Sequence, residues 1–237
     1  MKRLLKLLAR NLSILLPLSV IESYLTLRYG YPLLHFSLNG EDIILQQLFK
    51  KRDGFYVDVG AHHPTHFSNT YLLYRRGWHG INIDATPGKI DAFKSARPHD
   101  INIECAVSAS REPLAFFLFD KSALNTGSPT MAAEEERLGH PILQKVTVAG
   151  RPLADILNEY LPEGQHIDFM NIDVEGADMD VLTTNDWGRY APSVIAIEDI
   201  TFSPAHPEHS ESYRFLTAKG YVVRAFMGTT LIFSRKD

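Results

Sequence analysis

The chain has 237 residues, is 45% hydrophobic and carries a formal charge of -4. That length suits one α/β domain with a sizeable core. The charge balance, with no long Lys/Arg run, excludes a general pull toward nucleic acid. Cys105 is the single cysteine, so an internal disulfide is excluded and a reducing compartment fits.

The N-terminus, "MKRLLKLLARNLSILLPLSVIESYLTLRYG", sets Lys2, Arg3, Lys6 and Arg10 ahead of an apolar stretch. The uncharged run from Asn11 to Ile21 falls well short of the roughly 20 residues a spanning helix needs. No A-x-A-like cleavage site follows it, and Pro17 kinks any helix running through it. Residues 1–36 are expected as a basic, apolar helical segment. It either packs on the domain or makes a peripheral membrane contact through residues 1–30; a cleaved signal is a third reading. The expected location is cytoplasmic, with peripheral attachment to a membrane as the variant. Residues 37–237 are expected to form the main domain.

"GEDIIL" puts Glu41 and Asp42 at a helix start, where acids favour the dipole. From Phe55 onward strands and helices alternate. "FYVDVG" reads as a buried strand, and "SNTYLLYRRG" as a helix stopped by Gly77. "GINIDA" is a second strand. "TPGKIDAFKSA" offers Thr86 as N-cap and Pro87 at the first helical position. "INIECAVS" is a third strand. "PLAFFLF" and "KVTVAG" are further strands, separated by the irregular "DKSALNTGSPTMAAEEERLGHPILQ", in which "AEEER" reads as a solvated helix face. The stretch 120–145 is a candidate lid, because long irregular segments in compact domains are often functional. "RPLADILNEYL" has the helical period. Strand "IDFMNIDV", a helix near "ADMDVLTT", strand "SVIAIED" and helix "ESYRFLTAKG" follow. "YVVRAF-MG-TTLIFS" closes the chain as a hairpin.

Such alternation predicts a mostly parallel sheet with helices on both faces, and ligands of such sheets bind at the carboxyl ends of the strands. Strand one ends Asp58-Val59-Gly60-Ala61, where glycine allows a tight turn and close approach. Strand two ends at Asp84, 26 positions after Asp58, where an acid can accept from both hydroxyls of a ribose. The alternative for Asp84 is an acid favoured by the next helix's dipole. G-x-G-x-x-G is missing: Gly60 is followed by His62, His63, Pro64 and Thr65 after Ala61. A pyrophosphate-bearing cofactor is thereby disfavoured, and a nucleoside without phosphates, such as S-adenosylmethionine, fits better. Asp173 and Glu175 end strand four, and Glu198 and Asp199 end strand five. Paired carboxylates there bind a metal, serve as a general base, or only open the next helix. Asn125 of "ALNTGS" is either a ligand contact or a plain turn residue.

These segments together resemble the FkbM family of S-adenosylmethionine-dependent methyltransferases. The resemblance rests on "GEDIIL", "FYVDVGAHHPTHFSNTYLLYRRGWHGINIDATPG", "ALNTGS", "IDFMNIDVEGADMDVL" and "IAIED", and spans about residues 37 to 235. It implies a Rossmann-like class I methyltransferase fold with a C-terminal antiparallel hairpin, and methyl transfer, usually to a hydroxyl on a sugar, glycan or natural-product-like acceptor. Asp58, Gly60 and Ala61 match the first cofactor motif, Asp84 with Ala85 beside it the ribose-binding acid, and Asp173 the strand-four acid. Where many members carry Asn and a further Gly, this chain has His62-His63-Pro64. Asn125 joins the expected cofactor contacts. Asp173, Glu175, His62 and His63 are the candidate bases. No residue is assigned to a metal, although a carboxylate-bound Mg²⁺ is another way to lower a hydroxyl's pKa. A nicotinamide-dependent oxidoreductase and a non-catalytic or membrane-peripheral scaffold are the competing readings.

Overall fold

The computed structural model of the chain describes residues 17–29 and 34–236. The basic residues 2–10 and most of the apolar run after them lie outside the described residues. Pro17 stands immediately before helix α1 (Leu18–Tyr29) and accepts its first backbone bonds, from Val20 and Ile21. Val20, Tyr24 and Leu27 of this helix are exposed. No helix among the described residues is long and apolar enough to cross a membrane.

Helix α2 (Glu41–Leu48) leads into β1 (Phe55–Val59), α3 (Tyr71–Arg75), β2 (His79–Asp84), α4 (Ile90–Ala96) and β3 (Ile101–Glu104). Then come β4 (Ala106–Val107), β5 (Leu114–Phe119), α5 (Pro129–Arg137), β6 (Ile142–Val148) and β7 (Gly150–Arg151). The chain ends with α6 (Leu153–Tyr160), β8 (Phe169–Ile172), α7 (Asp178–Thr184), β9 (Val194–Glu198), α8 (Glu211–Ala218), β10 (Tyr221–Met227) and β11 (Thr230–Arg235).

A seven-stranded sheet runs in the order β10-β11-β9-β8-β1-β2-β3. Strands β3, β2, β1, β8 and β9 are mutually parallel, and β11 runs antiparallel to both β9 and β10. The doubly wound, mostly parallel architecture and the terminal hairpin are as expected, with β11 alone reversed. Alternate residues of each central strand explain the two layers. Phe55, Val57 and Val59 pack with Leu153, Ile156, Val181 and Leu216 on one face. Tyr56 turns to the other, against Leu45, Leu73 and Trp78. In β9, Ile195 and Ile197 share the first layer, and Val194 and Ala196 the second. Each large apolar side chain buried this way contributes about 1.5–3 kcal/mol.

Two expectations need correction. The helix expected from Thr86 and Pro87 begins only at Ile90. Gly88, at φ 78°, stands in the left-handed region, so Thr86–Lys89 form a turn instead. The third strand is also interrupted. Cys105 separates β3 from β4, and β4 leaves the main sheet to pair with β7. This diverts the chain into an antiparallel pair, β5 with β6, that stands apart from the main sheet. The "AEEER" run does form a helix, α5, whose N-cap Ser128 accepts from the Met131 N–H at 3.3 Å.

Candidate active site

The sheet order reverses direction between β1 and β8, and a cavity of about 530 Å³ opens there at the carboxyl ends of β1, β2, β8 and β9. That volume lies in the usual range for small-molecule sites.

The corner after β1 is the tightest part of its wall. The Gly60 and Ala61 N–H groups donate to the Ile83 carbonyl at 2.9 and 3.0 Å, and the Asp173 N–H donates to Val59 O at 3.0 Å. Gly60 has φ 81°, and a Cβ placed on it falls 1.6 Å from the Asp173 carbonyl oxygen. Only glycine fits there.

Asp84 is buried, and its carboxylate accepts the His62 N–H and the Thr86 N–H, each at 2.8 Å, one on each oxygen. A carboxylate oxygen has two lone pairs, so each keeps one for a ligand. Asp58 also lies on the cavity wall, but its oxygens are already engaged by Thr70 Oγ1 at 2.5 Å and Asn171 Nδ2 at 2.9 Å. Burial pushes its carboxyl up, against the opposing hydrogen bonds from Thr70 and Asn171 and the Arg97 charge.

Arg97, which no sequence motif marks, organises the floor of this corner. It is fully buried. Its Nε donates to Pro64 O at 2.8 Å, Nη1 to Thr70 Oγ1 at 2.8 Å and Asn82 Oδ1 at 3.2 Å, and Nη2 to Ser68 Oγ at 2.8 Å. Asp100 accepts from Tyr56, Gly80 and Asn82 at 2.5–2.9 Å. The guanidinium thus ties the histidine-containing loop to the sheet through neutral partners, with Asp58 and Asp100 supplying the countercharge.

The adjacent histidines part company. His62 adopts φ 53° and lines the cavity. Its Nε2 lies 3.3 Å from Ser122 Oγ, and its buried Nδ1 has no hydrogen-bond partner among the described residues. Burial first, then the Lys89 charge, pull its pKa down to about 4, with Asp84 opposing. His63 is not part of the cavity wall; its Nδ1 accepts from the Thr65 and His66 N–H groups at 3.1 and 3.2 Å.

Asp173, Glu175 and Glu198 bring carboxylate oxygens within 4.8 Å of one another, all on the cavity wall. Burial, then the charges of Glu198 and Glu175, push the Asp173 carboxyl well up. Burial and Glu198 take Glu175 up to about 8. Glu198 is raised by burial and accepts from Thr229 Oγ1 at 3.0 Å. Asp199, next in sequence, points elsewhere and accepts from Thr201, Ser210 and Ser212 at 2.5–2.9 Å.

Of the 120–145 stretch, only residues 122–127 border this cavity, beside the strand ends that carry Gly60 and Asp84, while α5 and the start of β6 are not on its wall. Ser122, Ala123, Asn125 and Gly127 line it, with Ala85 on the facing wall. Asn125 Oδ1 accepts the Phe119 N–H at 2.9 Å, and its Nδ2 lies 3.3 Å from Thr86 Oγ1. Thr126 Oγ1 donates to Glu175 O at 2.6 Å, and Lys89 Nζ to Ser122 O at 3.4 Å. Glu41 of α2 lies on the wall too, accepting from Asn39 at 2.9 and 3.0 Å, whereas Asp42 holds Phe36 N and Ser37 Oγ at 2.7 and 2.8 Å. Both acids therefore fold the chain entering α2.

Among curated proteins none matches the chain at a significant level. Solved structures resemble it faintly, and three of them illustrate the likeness. A TehB-like SAM-dependent methyltransferase from Corynebacterium glutamicum has 9% identity and a TM-score of 0.43, over 92% of this chain and 96% of that one. A candidate RNA methyltransferase from Pyrococcus horikoshii has 11% identity and a TM-score of 0.42, over 83% and 82%. A candidate O-methyltransferase from Klebsiella pneumoniae has 10% identity and a TM-score of 0.40, over 92% and 97%. Residues 58–223 match the family described as the methyltransferase FkbM domain. That span runs from the end of β1 into β10, so it takes in the cavity's strand ends and their covering segment alike, and the chain belongs to the FkbM family of methyltransferases.

Proposed function

We propose that the protein is an S-adenosylmethionine-dependent O-methyltransferase acting on a hydroxyl of a sugar, glycan or natural-product-like acceptor. The observation that carries this reading is the meeting, in one cavity, of a glycine corner that no other residue fits, a ribose-suited acid at Asp84 and the carboxylate cluster. The residues fit the cofactor. Asp84 keeps a lone pair on each oxygen, and His62 presents a buried ring nitrogen without a partner.

When bound, S-adenosylmethionine supplies a methyl group made electrophilic by its sulfonium. Gly60, Ala61 and Ala85 line the cofactor's side of the cavity, Asp84 holds the ribose hydroxyls, and Asn125 fixes the overlying segment to Thr86. Asp58 serves from below, by holding Thr70 and Asn171. The acceptor hydroxyl's proton passes to an ionised carboxylate of the Asp173–Glu175–Glu198 cluster. A carboxylate raised toward neutrality suits that work better than His62, whose proton affinity is low. His63 is a loop-ordering residue in this scheme. The covering segment excludes water and aligns the reactants, which is most of what such a transfer asks of a protein.

Calorimetric titration of S-adenosylmethionine and S-adenosylhomocysteine tests the reading, with Asp84→Ala as control. Micromolar binding that weakens at least about tenfold in the variant is the expected result. No binding to the folded full-length chain overturns it and brings the scaffold reading forward. Release of S-adenosylhomocysteine over a panel of hydroxylated glycans and lipid-linked acceptors then identifies the substrate. Acceptors presented on vesicles test whether residues 1–30 hold the enzyme at a membrane.

A further inference from the structure

The loop after β9 carries a second cluster of donor atoms, outside the cavity. In "HPEH", residues 206–209, a single turn of 3₁₀ helix spans Pro207–His209. His206 Nδ1 lies 3.4 Å from Glu208 Oε1, and His209 Nε2 lies 3.7 Å from the same oxygen. The two imidazole rings stack, 5.2 Å apart and 16° from parallel. One ligand atom from each of the three residues falls within 4.8 Å of the others.

These separations have a geometric meaning. Metal–ligand bonds of about 2.1 Å in a tetrahedral site space the ligand atoms by about 3.4 Å. Glu208 Oε1 stands at close to that spacing from both imidazole nitrogens, and rotation of the two near-parallel rings about their side-chain torsions brings their in-plane lone pairs onto one ion. We propose that His206, Glu208 and His209 form a surface site for a borderline divalent transition metal, of which zinc is the type, with the fourth position open to solvent. Two nitrogens and one oxygen favour Zn²⁺, Ni²⁺ or Cu²⁺ over Mg²⁺ and Ca²⁺, which take oxygen ligands.

The backbone of the turn is already set. The His206, His209 and Ser210 N–H groups donate to Ser203, His206 and Pro207 carbonyls at 3.0–3.1 Å. Arg214 Nη1 donates to the carbonyls of Glu208 and His209 at 2.7 and 3.4 Å. Proline fixes φ at the first position of the turn. Only the three exposed side chains need ordering, because their exposed ion pairs hold them only weakly. The loop's two ends are tied at Asp199, which accepts from Thr201 and from Ser210. Asp199 adjoins Glu198 of the cavity wall, so a metal here stiffens a loop anchored beside the acceptor side of the site.

The test uses the untagged full-length chain. Co²⁺ is titrated while visible d–d absorption is followed, then displaced with Zn²⁺, and Zn²⁺ affinity is measured by calorimetry. The expected result is one micromolar equivalent that His206→Ala or His209→Ala weakens by at least about tenfold, while Glu198→Gln leaves it unchanged. Zn²⁺ should also raise the melting temperature of the wild type and not of the His206→Ala/His209→Ala double variant. Equal Zn²⁺ affinity in wild type and double variant overturns the proposal, as does no binding at about 100 μM. Loss of binding in Glu198→Gln alone reassigns the metal to the cavity carboxylates and equally overturns it.

Discussion

Asp173 and Glu198 extend from neighbouring parallel strands, β8 and β9, and bring carboxylate oxygens within 4.8 Å of each other beside the glycine corner of β1. Two like charges held so close, half-buried, do not both ionise easily. The pair therefore retains a proton at pH values where isolated carboxylates have lost theirs, and Glu175 adds to the effect.

A base must be ionised to take the acceptor's proton, and Glu175 is raised to about 8. We expect kcat/KM to rise about tenfold per pH unit on the acid side and to level off above about pH 8. Glu175→Gln removes both the group raised to about 8 and a charge that raises Asp173, so the inflection should no longer lie near pH 8 but at lower pH. Asp173→Asn should cost about 10²–10⁴ in kcat. A profile flat from pH 6 to 9 in the wild type would show that the cluster takes no proton in the rate-limiting step.

The same cluster makes a stability prediction of definite sign. Its folded-state pKa values lie above the unfolded ones, so the folded chain binds more protons between them. Stability is then fully present below the unfolded carboxylate range, near pH 4.5 for Glu175, and is lost as pH rises through about 8. Glu175→Gln should melt a few degrees higher than wild type at pH 8.5, where about 1 kcal/mol corresponds to roughly 2–4 °C. The gain should vanish near pH 5. A variant less stable at pH 8.5 would mean that Glu175 makes a favourable contact outweighing its burial.

Gly60 gives a prediction on geometry alone. Gly60→Ala sets a methyl into the Asp173 carbonyl in a backbone region that alanine rarely adopts. Relief requires the Asp173 peptide, just past the end of β8, to move away from the end of β1. We expect a loss of more than about 2 kcal/mol of stability and no measurable cofactor binding in whatever material folds. Denaturant unfolding and calorimetry check both.

Much of this site is legible from strand ends. Gly60, Asp84, Asp173 and Glu198 stand out because a buried run stops beside them, and a local pattern suffices. Adjacent histidines on a loop are expected to diverge, but which of His62 and His63 faces the cavity is not legible, since it turns on one left-handed residue, φ 53° at His62. The helix starting at Ile90 rather than Pro87 turns on Gly88 in the same way. Arg97 is invisible for a different reason. Its partners Asn82, Thr70, Ser68 and Pro64 lie 15 to 33 positions earlier, and "SARPHD" reads as an ordinary polar helix end. Only the packed sheet shows that this arginine is surrounded.

Arg97 accordingly supplies the last prediction. Arg97→Ala leaves Asp58 and Asp100 buried without their nearest positive charge, as well as orphaning the Pro64 carbonyl. Removal of one member of such a buried charged set costs about 3–5 kcal/mol. Arg97→Lys keeps the charge, but a single ammonium cannot span Pro64, Ser68, Thr70 and Asn82 as the planar fork does. We therefore expect Arg97→Lys to fold, to lose part of that stability, and to bind S-adenosylmethionine more weakly because the loop carrying His62 is no longer tied to the sheet. The distinguishing measurement is amide hydrogen exchange across residues 62–70. Faster exchange there in Arg97→Lys, with β8 and β9 unchanged, places the defect in the loop. Uniformly faster exchange would instead make Arg97 a plain stability residue with no particular claim on the cofactor corner.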